Sequence, residues 1–150
     1  MKNLHDPVRV TEIEARLLSL PSDAPRQWGK MTLPQAMAHM SIGFESALGD
    51  VLIKRVFIGR LIGGFVKRMV FADDAPMRRD SPTAPEFIVT NAPDLERERA
   101  RLLGLLHRFA DGGPAACTTH PHGFFGPLTP DEWAILMYKH MDHHLRQFGA

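Results

Sequence analysis

An all-α bundle is the fold class that this sequence predicts, and three observations carry it. Apolar residues recur at three- and four-residue spacing in five segments, no stretch alternates clearly like a half-buried strand, and no unit repeats along the chain. The 150 residues suffice for one domain with a real core, so residues 1–150 are expected to form a single domain.

The first helix is expected over residues 8–20, with Val10, Ile13, Leu17 and Leu20 on one stripe and Pro21 and Pro25 closing it. A connection containing Trp28 and Gly29 leads to the second helix, residues 32–48. Thr32 followed by Gln35 has the spacing of a capping box, and Leu33, Ala36, Met37, Met40, Phe44 and Ala47 form the apolar face. His39 sits at the edge of that face. Its neighbours include Ala36 and Gly43, which are small enough to leave room beside an imidazole.

The third helix is expected over residues 51–71. It has no acidic residue and contains Gly59, Gly63 and Gly64, each weakening helix propensity by roughly 1 kcal/mol relative to alanine, so a bend is expected near Gly63 and Gly64. A basic amphipathic helix suits a membrane surface or an anionic partner. The mixed face and small net charge favour instead a packed helix whose Lys and Arg side chains face solvent.

Residues 73–93 hold Pro76, Pro82, Pro85 and Pro93, too many for a helix. This long connection is expected to pack over the bundle and cover a site, with Phe87, Ile88 and Val89 as a short strand or an anchor. The fourth helix is expected over residues 91–110. Asn91 is its expected cap, Pro93 and Asp94 suit its first turn, and Gly112-Gly113-Pro114 ends it. Leu95, Leu102, Leu105, Leu106 and Phe109 supply its core face, while His107 is expected at the surface. After a loop over residues 115–128, Thr129, Pro130 and Glu132 open the last helix with a second capping box.

Composition excludes several function classes. Hydrophobic residues at 44% and charged residues at 23% are ordinary for a soluble globular protein, and a net charge of +1 gives no bias towards nucleic acid. The single cysteine, Cys117, rules out a disulfide framework within the chain, and cytoplasmic location is the default expectation. Residues 1–16 lack the apolar core of a signal peptide. Lys54, Arg55, Arg60, Lys67 and Arg68 interrupt the most apolar stretch, so no membrane span is expected. There is no HExxH, no phosphate-binding glycine loop and no nucleophile elbow.

The chemistry concentrates at the C-terminal end. Five of the eight histidines follow residue 119. His140 and His144, four residues apart, share a helix face with Trp133, Leu136, Met137, Met141 and Phe148 around them. His143 and Asp142 fall on the side carrying Lys139 and Arg146. Two imidazoles in an apolar stripe need partners for both nitrogens, and a metal ion would satisfy one on each ring. Neutral imidazole binds zinc, nickel, copper or iron. A third ligand from another helix would leave positions open for water or substrate. His39 is the best-placed third ligand, and His120 and His122 in the loop are its rivals. For His122 the plainer role is pinning the loop; for His120 both roles stay open. Cys117 reads as a free thiol. Glu45 and Asp142 read as surface charges, so spacing supplies no general base.

Two blocks, HPHGFFGPLTPDEWAILMYKHMDHHLRQFG near the C-terminus and WGKMTLPQAMAHM upstream, resemble an uncharacterised branch of the DinB/YfiT-like superfamily, over about residues 28–149. The resemblance implies an up-and-down four-helix bundle, here with an additional N-terminal helix and the long proline-rich connection. It also implies a metal held by one histidine of an early bundle helix and two from an HxxxH on the last. On this chain those are His39, His140 and His144, with one divalent ion, zinc or nickel ahead of iron or manganese. The implied function is a metal-dependent hydrolase or transferase acting on a small molecule. A thiol-dependent S-transferase and a non-catalytic small-ligand-binding or structural bundle are the alternatives. Self-association as a homodimer through the acid-free third helix is a further expectation.

Overall fold

Two capping boxes fix where the helices that carry His39 and the His140/His144 pair begin. Thr32 Oγ1 accepts from the Gln35 amide at 3.4 Å while Gln35 Oε1 accepts from the Thr32 amide at 3.0 Å. Thr129 and Glu132 repeat the exchange at 3.2 and 2.8 Å. Each box satisfies amides that a helix start otherwise leaves unpaired, and a proline follows each cap.

The computed structural model describes residues 1–81 and 85–150; Pro82, one of the four prolines expected to shape the connection, lies outside the described residues. The helices are α1 (Pro7–Ser19), α2 (Leu33–Leu48), α3 (Phe57–Val70), α4 (Leu95–Ala116) and α5 (Pro130–Gln147), with a 3-10 turn at Pro85–Phe87. Among the described residues there is no β-strand, only an isolated bridge between His122 and Gly126. The regular elements of the described residues are thus all helical. Phe87 belongs to the 3-10 turn rather than to a strand.

Helices α1, α2, α4 and α5 share one core. Ile13 and Leu17 of α1, Met37, Met40 and Phe44 of α2, Leu102, Leu106 and Phe109 of α4, and Trp133, Met137 and Met141 of α5 are all buried in it. Two local features depart from the sequence expectation. The cap of α4 is Asp94, whose side chain accepts from the Arg97 amide at 2.8 Å, and not Asn91, whose carbonyl accepts from Gln35 Nε2. Pro93 disfavours helical geometry at the residue before it, so the helix starts after it. At the other end α4 breaks at Gly113 (φ 56°, ψ −151°) and closes with one further turn through Pro114. Arg99, on α4, is buried and donates to the Leu17 and Leu20 carbonyls at 2.8 and 3.0 Å, satisfying the C-terminal end of α1.

The third helix departs most. Residues 51–56 are not helical; the Val56 amide bonds the Gly123 carbonyl at 3.0 Å, and His120 Nε2 lies 3.3 Å from the Ile53 carbonyl. α3 makes no close backbone contact with another helix among the described residues. It rests on the 118–128 loop through Gly59 and Gly63, where an added Cβ would collide with the Phe124 carbonyl. The helix runs through Gly63 and Gly64 without a break, so these glycines serve close approach rather than a bend. Its large apolar side chains face outward, which overturns the expectation of a packed helix with only its cations in solvent. α1 lies in the core, and the outlying helix is α3. No helix among the described residues is long and apolar enough to cross a membrane.

Candidate metal centre

His39, one turn before Gly43 on α2, faces the His140/His144 pair of α5. The three rings form a near-equilateral set, with centroids 4.8, 4.8 and 4.9 Å apart. One nitrogen from each ring lies within 4.8 Å of the other two, and His39 Nε2 and His140 Nε2 are 2.9 Å apart. His39 and His144 are buried and His140 is half-buried. Three nitrogens bound tetrahedrally to zinc at 2.0–2.1 Å stand about 3.3 Å apart, so ligation asks for shifts of only some tenths of an ångström to about 1.5 Å.

The outer nitrogens decide which way the lone pairs point. His39 Nδ1 lies 3.0 Å from the Phe87 carbonyl, which can only accept, so Nδ1 carries the proton and Nε2 the lone pair. His144 Nδ1 lies 2.8 Å from Gln147 Oε1. The amide cannot be turned the other way, because Gln147 Nε2 donates to the Trp28 carbonyl at 2.9 Å. His144 is therefore protonated on Nδ1, and its Nε2 is free to ligate. An orienting hydrogen bond on the far nitrogen is the usual companion of a ligating histidine.

Burial keeps all three rings neutral at pH 7. It lowers His39, against the opposing pull of the Phe87 carbonyl. It drives His140 well below the ordinary histidine value, helped by His39 and His144, and lowers His144 to about 3. Neutral imidazole is the form that binds a metal. The donor set, three imidazoles and no carboxylate or thiolate, fits zinc, nickel, copper or iron and suits magnesium or calcium poorly.

Gly43 makes room for His140. A Cβ there would stand 3.0 Å from His140 Nδ1 and 3.1 Å from Cε1. The 3-10 turn covers the other side, with the Phe87 ring edge-on to His39 at 5.8 Å, so this part of the proline-rich connection does lie over the cluster. His143 stays outside the cluster, edge-on to His144 at 5.0 Å and to Trp28 at 5.7 Å, and Arg79 stacks on Trp28 at 4.1 Å.

The two rivals for the third position lie elsewhere. His120 bonds the Ile53 carbonyl, and His122 accepts from the Phe124 and Phe125 amides at 3.0 and 3.2 Å, which fastens the loop. The Cys117 thiol is pushed up to about 11 by burial and by Asp131, far from a nucleophilic thiolate at neutral pH. Asp142 and Glu45 pair with Arg16 at 2.9 Å and Arg101 at 2.5 Å, respectively. His107 is exposed and pairs with Glu14. Lys139, placed by the helical wheel on the polar side, is buried; its ammonium donates to the Val70 and Ala75 carbonyls at 2.8 and 3.0 Å, at the end of α3. Two surface hollows, of about 710 Å³ beside α3 and 270 Å³ beside Pro34, are lined by other residues than the three histidines.

Gln147, Gly43 and the Phe87 carbonyl are the supporting groups that the sequence did not single out in these roles. The i, i+3 spacing of His144 and Gln147 carries one of these contacts. The Phe87 carbonyl, 48 residues from His39, has no local signal.

No curated protein and no solved structure matches the chain. Residues 9–150 match the family described as "Protein of unknown function (DUF1569)". That match takes in α2 to α5, α1 except its first two residues, and the three clustered histidines, and the chain belongs to the DUF1569 family.

Proposed function

We propose that this protein binds one divalent transition-metal ion through His39, His140 and His144 and uses it to act on a small molecule, as a hydrolase or transferase. The observation that carries this reading is the pair of outer hydrogen bonds, from His39 to the Phe87 carbonyl and from His144 to Gln147, which leave both Nε2 lone pairs free for a shared ligand. Zinc or nickel suits three neutral imidazoles best. Three protein ligands leave at least one position open, the pattern of catalytic rather than structural sites. The chemistry such an ion supplies is Lewis acidity, which polarises a carbonyl and lowers the pKa of water or of a thiol. The chain's own residues hold and orient: Gln147 and the Phe87 carbonyl fix two rings, Gly43 admits the third, and the Phe87 ring shields His39. The same ligand pattern, with the two sequence blocks, supports kinship with the DinB/YfiT-like superfamily and its four-helix bundle, and a cytoplasmic setting goes with that reading.

A metal-free reading has one observation in its favour. His140 Nε2–H can donate to His39 Nε2 across their 2.9 Å separation, so the cluster can satisfy itself as a buried hydrogen bond. Activity separates the two. Protein loaded with zinc or nickel is assayed on small esters, amides and lactones, and on thiol–electrophile pairs. Turnover that needs the ion and is lost in His144→Ala supports the proposal. An ion that binds without turnover on any substrate leaves a binding module, and failure to bind any ion leaves the structural cluster.

A further inference from the structure

Helix α3 carries a face that no part of the chain covers among the described residues. On the helical wheel Phe57, Ile58, Leu61, Ile62, Phe65 and Met69 fall within one arc of about 140°, which Arg68 alone enters, near its Phe57 end. Each is between 43% and 76% exposed. The face is not a core face that has swung out. The opposite side carries Gly59 and Gly63, seated on the Phe124 carbonyl where no Cβ fits, so α3 cannot roll its phenylalanines inward without driving a side chain into that backbone. Further ties hold the orientation: Lys67 bonds Glu132 and the Pro127 carbonyl, both at 2.8 Å, and Lys139 bonds the Val70 carbonyl. A contiguous, fixed set of six large apolar side chains on one helix marks an interaction surface.

Charge identifies the occupant. Residues 51–72 hold Lys54, Arg55, Arg60, Lys67 and Arg68 and no acidic residue. Arg60 and Arg68 flank the Phe57 end of the apolar arc, Arg60 just outside it and Arg68 just inside, and Lys54 precedes the helix; all three are exposed and in no ion pair among the described residues. A second copy fits this poorly. In an antiparallel two-fold pair the two-fold axis runs across the helices, so the Arg60/Arg68 edge falls on itself and four guanidinium groups meet without a carboxylate. A parallel pair separates those edges but offers the cations no counter-charge. A bilayer of anionic phospholipid answers both features, taking apolar side chains at the headgroup–acyl boundary and flanking Lys and Arg at its phosphates.

We propose that α3 docks the protein peripherally on anionic phospholipid membranes, with Phe57, Leu61, Phe65 and Met69 in the headgroup–acyl boundary and Lys54, Arg60 and Arg68 on lipid phosphates. The docking is reversible and separate from the histidine centre. It supplies a surface at which the centre would work, and it stands whether or not the centre holds metal.

The test is co-sedimentation of the full chain with phosphatidylcholine vesicles, with and without about 30% phosphatidylglycerol, at low and high salt. Wild-type protein is expected to partition onto the anionic vesicles at least about tenfold more strongly than onto the neutral ones, and salt weakens this. Phe65→Asp lowers the partition at least about tenfold, and Arg60→Gln with Arg68→Gln removes the preference for anionic lipid. All three side chains are exposed, so circular dichroism and melting temperature serve as controls for an intact fold. His144→Ala binds vesicles like wild type. Absence of binding to anionic vesicles, or equal binding of wild type and Phe65→Asp, overturns the proposal. So does a wild-type dimer in vesicle-free buffer that Phe65→Asp makes monomeric, because it assigns the face to a second copy.

Discussion

Replacing Gly43 by alanine sets helix stability against the histidine centre. Gly43 lies inside α2, where glycine costs roughly 0.5–1 kcal/mol relative to alanine, so the substitution favours the helix by that amount. The new methyl, however, stands 3.0 Å from His140 Nδ1, 3.1 Å from Cε1 and 3.4 Å from Met137 Cε. Carbon contacts are comfortable at about 3.5–4.0 Å, so the ring must retreat by roughly half an ångström. Its Nε2 already lies 2.9 Å from His39 Nε2, so the retreat changes the ligand triangle rather than being absorbed in open space. Overpacking of this kind costs about 1–3 kcal/mol, which leaves the metal-free stability within about 2.5 kcal/mol of wild type. Metal affinity is expected to fall about 10- to 100-fold, the usual cost of disturbing a ligand's support. Chelator-competition titration with zinc reads the affinity, and urea unfolding of the metal-free protein reads the stability. Gly104→Ala is the control. Gly104 is exposed on α4 with no atom within 4 Å of its added Cβ, so it gains helix stability and leaves zinc binding unchanged. A folded Gly43→Ala protein with wild-type zinc affinity would refute the placement of His140 in the site.

The remaining predictions concern the orienting groups and proton binding. Gln147→Leu removes the acceptor of His144 Nδ1–H and the donor to the Trp28 carbonyl, so zinc affinity should drop about tenfold or more by the same titration; an unchanged affinity would mean that Gln147 does not set the ring. The metal-free protein should lose stability as pH falls. Unfolded histidines take a proton near 6.5, whereas folded His144 and His122 resist it until about 3 and about 4. Their contribution is therefore complete above pH 6.5 and is lost progressively below it. Each costs about 1.4 kcal/mol per pH unit, so these two remove about 2–3 kcal/mol between pH 6 and pH 5. A urea midpoint constant over that interval would contradict the burial of these rings.

What was legible in the sequence was local. The capping boxes at Thr32 and Thr129 rest on three-residue spacings, and the shared face of His140 and His144 on four. His39 is legible only from its place at the edge of an apolar face, and the structure brings it to the other two. What escaped was decided between segments. The pattern of α3 shows that one side is apolar but not which side meets the protein; Gly59 and Gly63, four apart on the other face, are the sign of close approach, and their low helix propensity masks it. A helical wheel puts Lys139 on the polar side because it carries no trace of the carbonyls at Val70 and Ala75 that hold its ammonium inside. Arg99 is buried for the same reason, its partners being the unpaired carbonyls at the end of α1. The Phe87 carbonyl that fixes His39 belongs to a turn whose path no periodicity encodes.

Metal content, measured by elemental analysis on untagged protein purified without added metal or chelator, alongside His144→Ala, tests the central claim most directly. The account predicts about one transition-metal ion per chain in the wild type and loss of that ion in a variant that keeps its helical circular dichroism. No ion in the wild type, with none taken up on titration with zinc or nickel, or an equal ion content in both proteins, would contradict it.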